Sequence, residues 1–234
     1  LGISLGINLM PADGKVCTFD CIYCECGFNK DNRTKSPFPT REEVAAKLEA
    51  KLKIMKETNE QPDVLTFAGN GEPTANPQFA EIIDDTIRLR NQYCPKAKVS
   101  VLSNATFIHR TNVHNALMKV DNNILKLDTI DNKYINKVDR PTYPTYRVSK
   151  IVEEMKTFNG RLIVQTMFLK GISTDGDDVN NVKEDFIVSW LDAVKIYTID
   201  RETPDPNLKK ATKSELDAIC ERVKAMGIPC SASY

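Results

Sequence analysis

The chain has 234 residues, of which 41% are hydrophobic and 27% are charged, and its 32 Lys and Arg residues balance its 32 Asp and Glu residues. This composition is typical of a globular chain with a buried core and excludes a strongly charged disordered chain. The zero net charge gives no electrostatic argument for a nucleic-acid or membrane partner, and no apolar run approaches the roughly 20 residues of a membrane span.

The first predicted element is a strand at residues 3–8. Because the chain begins with Leu1 rather than Met and enters this strand almost at once, we expect further residues upstream. Short apolar runs bounded by turn residues predict six strands. They cover residues 3–8, 64–68, 99–102, 124–129, 161–168 and 194–199. Helices are predicted between them from helical spacing and from two capping boxes. Two helices begin after Thr40 and Thr212, and the other four cover residues 79–87, 112–118, 146–158 and 182–191. The helix after Thr40 has Val44, Leu48, Leu52 and Met55 on one face, and the helix after Thr212 is predicted to end at Gly227.

Strands that alternate with helices at this spacing predict a parallel sheet with crossover helices. A closed eight-fold barrel typically needs about 250 residues. Because the chain is shorter, we predict an α/β fold, an incomplete (β/α)6 TIM-like barrel that forms a single domain over residues 1–234. In such sheets the functional groups lie at the carboxyl ends of the strands, where the polar clusters described next also fall.

Four of the seven cysteines, Cys17, Cys21, Cys24 and Cys26, stand within ten residues. An odd, clustered set is a poor disulfide framework and favours metal or redox chemistry in a reducing cytoplasm. The first three have C-x3-C-x2-C spacing. If their thiolates bind three irons of a [4Fe–4S] cubane, the fourth iron is open to a ligand. A zinc loop, or a closed site with Cys26 as the fourth ligand, is the alternative interpretation.

Polar residues follow the second and third predicted strands. Gly69, Gly71 and Glu72 belong to the run Gly-Asn-Gly-Glu-Pro-Thr, in which glycines allow a close approach of the backbone and the carboxylate suits an ammonium group. Ser103 and Asn104 end the third strand. They are either hydrogen-bonding groups of a site or a cap of the following helix.

Polar residues also share one face of the later strands. Lys126 and Asp128 lie on the face opposite two leucines of the same strand. Burying two charged side chains inside a barrel costs free energy unless they form an ion pair or have a function. We therefore predict that both line the site and take part in catalysis. Gln165 and Thr198 stand on the fifth and sixth strands and are predicted to bind a cofactor.

The cysteine spacing, with Tyr23 directly before the last cysteine, resembles the signature of the radical S-adenosylmethionine (SAM) superfamily. The resemblance implies a [4Fe–4S] cluster on the three cysteines whose open iron binds SAM. It further implies that SAM is cleaved to methionine and a 5′-deoxyadenosyl radical, the chemistry of a SAM-dependent oxidoreductase, lyase or transferase. The residues it assigns to the methionine part are Gly69, Gly71 and Glu72, and those it assigns to the nucleoside are Tyr23, Asn104 and Gln165.

Several segments are similar to the wyosine-synthase-like branch of that superfamily, whose best-known members rebuild a guanine in tRNA. These segments are Leu1 through Cys24, Thr66 to Thr74, Leu127-Asp128 with Asp139-Arg140-Pro141, and Gln165 to Gly171. The extra N-terminal cysteines of the tRNA-modifying members have no counterpart here, so we carry over the SAM chemistry and not the tRNA substrate. The substrate is left unidentified, with a tRNA base and a partner protein as the two candidates. The expected electron donor is a flavodoxin or ferredoxin, and no membrane partner is expected. The rival interpretation is a non-enzymatic electron carrier or zinc-stabilised module closed by Cys26.

Overall fold

A computed structural model describes residues 2–174 and 191–234 of the chain. Their contacts fall into two compact units. Unit 1 comprises Leu1–Cys17 and Asn32–Asn123, and unit 2 comprises Thr18–Asp31 and Ile124–Tyr234. The segment 18–31, which carries three of the four clustered cysteines, thus belongs with the second half of the chain. The prediction of one domain over the whole chain stays a prediction.

Unit 1 is built on parallel strands that pair in sequence order. They are β1 (Ser4–Ile7), β2 (Val64–Phe67) and β3 (Lys98–Ser103). Its helices are α1 (Arg41–Glu57), α2 (Phe79–Tyr93) and α3 (Thr111–Leu117), with a short 3-10 helix at Pro73–Ala75. The predicted capping box is confirmed at the start of α1, where the Thr40 hydroxyl accepts from the Glu43 N–H and the Glu43 carboxylate accepts from the Thr40 N–H.

The predicted inner face of α1 is also confirmed. Val44, Leu48, Leu52 and Met55 are buried, as their helical spacing indicates. The core of the unit continues through Leu65 and Phe67 of β2 and the buried face of α2. This packing fixes the carboxyl ends of β2 and β3, which carry the polar residues of the candidate site.

Unit 2 has a second set of parallel strands in sequence order. They are β4 (Asn122–Lys126), which begins at the unit boundary, β5 (Ile163–Met167), β6 (Ala193–Tyr197) and β7 (Cys230–Ser233). The helices described in this unit are α4 (Asn132–Val138), α5 (Val148–Lys156) and α6 (Lys213–Ala225). The second capping box is confirmed at Thr212, and Gly227, with φ of 82°, follows the end of α6 as predicted. None of the described helices is long and apolar enough to cross a membrane.

Two elements were missed from the sequence. The prediction of six strands was wrong, because the described residues also contain β7, whose polar sequence Cys-Ser-Ala-Ser has little strand propensity. The short helix α4 was missed because only Ile135 and Val138 are buried in it. The predicted helix at 182–191 lies outside the described residues except for its last position.

Candidate functional site

Glu72 is a buried carboxylate just after β2, and only 2% of its surface is exposed. Its Oε1 accepts hydrogen bonds from the Thr74 N–H at 3.0 Å, the Thr74 hydroxyl at 2.6 Å and the Ser103 hydroxyl at 2.8 Å. Its Oε2 accepts from the Asn104 N–H at 2.6 Å. Burial raises the pKa of Glu72, although these hydrogen bonds oppose the shift. The structure therefore brings together Glu72, Ser103 and Asn104, three residues that the sequence assigns to one site.

Asn104 connects this carboxylate to the first cysteine. Its side-chain amide donates to the Cys17 Sγ at a distance of 3.6 Å, within the range of hydrogen bonds to sulfur. Its Oδ1 accepts from the Thr106 N–H at 3.0 Å, which closes a local turn. The residue before α3 is Arg110, so the alternative of Asn104 as a cap of that helix is wrong.

Gly71 lies against the backbone that leads into the cysteines. The Val16 N–H donates to the Asn70 carbonyl at 3.2 Å, and the Val16 carbonyl accepts from the Glu72 N–H at 2.9 Å. A Cβ at position 71 would stand 1.9 Å from the Val16 carbonyl oxygen, and a Cβ at Gly69 would stand 2.2 Å from the Asn8 Oδ1. Gly71 is thus required by the close approach of the Val16 backbone, whereas a Cβ at Gly69 would displace the Asn8 side chain.

Asn70 explains why the Gly-x-Gly-Glu-Pro turn has an asparagine between its glycines. Its side-chain amide donates to the Pro11 carbonyl at 2.8 Å and also to the Gly14 carbonyl. The Asn8 amide in turn donates to the Asn70 Oδ1. Asn70 therefore holds the segment that precedes Cys17 against the end of β2.

Replacing Gly71 by alanine is expected to displace the Val16 backbone, because the new methyl group has no room beside its carbonyl oxygen. We expect a loss of about 1–3 kcal/mol in the free energy of unfolding and less iron retained after anaerobic reconstitution. Gly6→Ala is the matched control, since a Cβ there meets nothing within 4 Å. Urea unfolding and iron content of the two variants test this, and equal behaviour would contradict the assigned role of Gly71.

In unit 2, Lys126 and Asp128 form a buried charged group with Asp139 and Tyr23. The Lys126 Nζ lies 2.5 Å from the Asp128 Oδ2 and also donates to the Asp139 Oδ1. The Tyr23 hydroxyl donates to the Asp128 Oδ2 and lies 3.3 Å from the Asp139 Oδ1. The side chain of Lys126 is 13% exposed, and those of both aspartates are fully buried. The predicted pairing of Lys126 with Asp128 is therefore present, and a second carboxylate joins it.

Burial and charge act together on this group, called the Lys126 cluster below. Burial alone would lower the pKa of Lys126, but Asp128 and Asp139 hold it well above the usual value. Burial raises the pKa of Asp139 to about 7, against the attraction of Lys126 and with the repulsion of Asp128. Burial and the two carboxylates also raise the pKa of Tyr23, which keeps it a hydrogen-bond donor. The cluster thus joins a charged lysine to a carboxyl, that of Asp139, whose pKa lies near neutral pH.

Asp139 belongs to a segment that clamps the cysteine loop. The Asp20 N–H donates to the Asp139 carbonyl at 3.0 Å, and the Ile22 N–H donates to the Val138 carbonyl at 2.9 Å. The Thr142 N–H donates to the Thr18 carbonyl at 2.8 Å. Sequence reasoning missed Asp139 as a site residue. The sequence feature that could have indicated Asp139 is the run Asp139-Arg140-Pro141, which directly follows the polar helix α4.

The remaining predicted site residues lie on β5 and just after β6. Gln165 is half-buried, and its carbonyl accepts from the Leu127 N–H at 3.0 Å. Thr198 is buried, and its hydroxyl oxygen accepts from the Ala211 N–H at 2.8 Å. Their assignment to a cofactor, like that of Tyr23, stays a prediction. Cys94, which precedes a proline, and Cys220, on an apolar helix face, are predicted from the sequence to be core residues, and both are buried.

The cysteine loop has the donor chemistry of an iron–sulfur site. All seven cysteines, each within the described residues, are thiols, and Cys21 and Cys24 lie in one turn closed by the Cys24 N–H to Cys21 carbonyl bond of 3.2 Å. Cys17 belongs to unit 1, and Cys21 and Cys24 belong to unit 2. Within residues 2–174 and 191–234, no three His, Cys, Asp or Glu side chains already stand as a metal-binding group. The thiol chemistry and the anchored loop fit a cluster.

Comparison with known sequences gives a family. A model described as the radical SAM superfamily matches residues 13–182. A UPF0026 protein of Helicobacter pylori is 32% identical over 227 residues, which cover 93% of this chain and 68% of that protein. Members of the superfamily use a [4Fe–4S] cluster and SAM as cofactors.

Solved structures show the same fold. Streptococcus suis SuiB bound to SAM matches 100% of this chain with a TM-score of 0.70 and 18% identity. The chain spans only 51% of SuiB, which has also been solved with its precursor peptide SuiA. TYW1 with a lysine–pyruvate adduct matches 94% of this chain and 73% of its own length, with a TM-score of 0.63 and 16% identity.

These matches confirm the predicted fold class, a parallel α/β fold of the incomplete TIM-like barrel type. They also confirm the resemblance to the radical SAM superfamily that the cysteine spacing indicated. TYW1, a wyosine synthase, is among the structural neighbours. The family model spans more than half of the sequence, from residue 13 to residue 182. The chain therefore belongs to the radical SAM superfamily.

Proposed function

We propose that the chain is a radical SAM enzyme in which Cys17, Cys21 and Cys24 hold the [4Fe–4S] cluster. The observation that carries the proposal is the contact of the Asn104 amide with the Cys17 Sγ, because Asn104 also donates its N–H to Glu72. One cysteine of the signature is thereby joined to the carboxylate of the Gly-Glu-Pro turn. When bound, the cluster supplies the electron that splits SAM into methionine and a 5′-deoxyadenosyl radical, which abstracts hydrogen from the substrate.

Glu72 is suited to hold the ammonium group of a ligand. Its Oε1 accepts three hydrogen bonds, whereas its Oε2 accepts one and has a second lone pair. An ammonium group would therefore bind at Oε2. Ser103 and Thr74 act by fixing the carboxylate, so that it does not rotate when the ligand binds.

The Lys126 cluster supports a positioning role. The charged atoms of Lys126 and Asp128 are bonded to each other, to Asp139 and to Tyr23. Tyr23 lies between Cys21 and Cys24 in sequence, so the cluster fixes the loop that carries both thiols. We retain Lys126 and Asp128 as site residues and propose that they act on catalysis through this loop.

The substrate that we propose is a tRNA base or a segment of a partner protein. SuiB, a structural neighbour, has been solved with a peptide, which supports a partner protein. The proposed electron donor is a flavodoxin or ferredoxin, and the proposed location is the cytoplasm, where cysteine thiols stay reduced. Binding of bulk tRNA with a steep salt dependence would favour the tRNA base instead.

The deciding experiment is anaerobic reconstitution of the cluster, reduction in the presence of SAM, and measurement of 5′-deoxyadenosine. We expect the wild type and Cys26→Ala to release 5′-deoxyadenosine. Alanine at Cys17, Cys21 or Cys24 is expected to abolish the release. Cys26 is the matched control, because it lies two residues beyond the signature in the same loop.

A closed site would give the opposite pattern. In that case the wild type would hold iron or zinc without releasing 5′-deoxyadenosine, and Cys26→Ala would lose the metal. That combination would sink the radical SAM proposal and favour an electron carrier or a zinc-stabilised module.

A further inference from the structure

A cavity of 470 Å³ opens in unit 1 between β1 and α1. Its apolar lining includes Leu5 and Ile7 of β1, Val44 and Leu48 of α1, and Phe38 of the preceding loop. None of the residues assigned above to SAM or to the cluster lines it. It is therefore a separate groove, which follows the length of a strand.

The strand beside this groove has an open edge. Within unit 1, β1 pairs with β2 alone, in parallel register. The Ile3 carbonyl accepts from the Val64 N–H and the Ile7 carbonyl accepts from the Ala68 N–H, so the odd-numbered residues point their backbone groups toward β2. In a parallel strand the residues between them point the other way. The N–H and C=O groups of Ser4 and Gly6 therefore face the open edge, where an extended chain could pair with them.

The rim of the groove is basic. Lys47 and Lys51 line the cavity, are exposed, and form no ion pair among the residues described in unit 1. The lining also contains one acid, Glu43, whose Oε2 accepts from the Thr40 N–H at 2.9 Å, so the charged lining residues carry one net positive charge. Four residues of helix separate the two lysines by a rise of about 6 Å, close to the roughly 6.6 Å between alternate residues of a strand. Two carboxylates two positions apart on a strand would match this spacing.

We propose that the groove binds an extended acidic segment of a partner protein, which pairs with the edge of β1. Its backbone bonds to Ser4 and Gly6, and alternate carboxylates on its α1-facing side pair with Lys47 and Lys51. An apolar side chain on the same face packs against Phe38. The open edge selects an extended backbone, and the unpaired lysines select its charge. This binding does not depend on SAM cleavage, so its failure would leave the proposed function untouched.

The test uses fluorescence anisotropy of a short labelled peptide in which two glutamates and a leucine occupy successive alternate positions, so that all three share one face of a strand. A peptide with lysines in place of the two glutamates is the comparison. We expect the acidic peptide to bind and the lysine peptide not to bind. The double variant Lys47→Glu and Lys51→Glu is expected to lower the affinity for the acidic peptide about tenfold or more. Lys133→Glu with Lys137→Glu is the matched control. These lysines are also exposed and four residues apart on a helix, but they lie outside the groove.

Amide hydrogen exchange supplies the backbone readout. We expect the peptide to slow exchange at the Ser4 and Gly6 N–H groups. Binding without this protection would overturn strand pairing. Protection of both amides in the whole protein without peptide would show that another part of the same chain covers the edge, and protection that grows with protein concentration would show a second copy. Either result would also overturn the proposal.

Discussion

Lys126→Met is expected to lower the free energy of unfolding by about 3–5 kcal/mol, because it leaves two buried carboxylates without their cation. The Lys126 Nζ contacts both Asp128 and Asp139, whose side chains are fully buried. Methionine has a similar length but offers no donor to either oxygen. Urea unfolding of the purified protein measures the effect.

Two further variants separate charge from packing. Lys133→Met removes an exposed lysine from α4 and is expected to change stability by less than about 0.5 kcal/mol. Adding Asp139→Asn to Lys126→Met removes one of the stranded carboxylates and is expected to restore part of the loss. If the double variant is no more stable than Lys126→Met, the charge explanation fails.

The pH dependence of stability gives an independent check on Asp139. Its pKa is raised from 3.8 to about 7 in the folded protein, so it holds its proton more tightly there than in the unfolded chain. Its contribution to stability is therefore full below about pH 4 and declines as the pH rises through 7. Relative to Asp139→Asn, the wild type should lose unfolding free energy over this window. A constant difference would contradict the raised pKa.

Glu72→Gln is expected to cost about 1–3 kcal/mol of stability, although the two side chains have nearly the same shape. The carboxylate accepts four hydrogen bonds and donates none. Glutamine must turn its NH2 group toward either the three donors at Oε1 or the Asn104 N–H at Oε2. The second arrangement loses fewer bonds but places two donors face to face.

The same substitution should also weaken SAM binding, since Oε2 is the atom proposed to meet the ligand's ammonium group. Equilibrium binding of SAM to the reconstituted protein and urea unfolding measure the two effects separately. Glu57→Gln, at an exposed position of α1, is the control and should change neither. Unchanged SAM affinity in Glu72→Gln would remove Glu72 from the ligand site while leaving its structural role intact.

The groups that the sequence placed correctly follow from local patterns. The α1 face, both capping boxes and the Gly-Glu-Pro turn each depend on residues within a few positions of one another. Glu72 and Asn104 could be placed together because the ends of adjacent parallel strands meet at one edge. The contact between Asn104 and Cys17 adds a long-range link that strand order alone does not determine.

The residues that were missed lack such a local pattern. Asp139 lies after a polar helix, and its role appears only through its contacts with Lys126, 13 residues before it, and with Tyr23, 116 residues before it. The edge of β1 was likewise invisible, because a strand's free side depends on which neighbours it has. The role of Asn70 was also missed, since its partners Pro11 and Gly14 lie in the loop before the cysteines and far from it in sequence.

The clamp on the cysteine loop has a consequence for biosynthesis. The Tyr23 hydroxyl and the Asp139 carboxylate are 116 positions apart, and the Thr18 carbonyl and its donor Thr142 are 124 positions apart. At a translation rate of about 5–20 residues per second, synthesis of this stretch takes on the order of ten seconds. During that time the thiols leave the ribosome on a nascent segment whose final partners do not yet exist. We therefore expect iron to be delivered after translation has passed Thr142, rather than to the emerging loop.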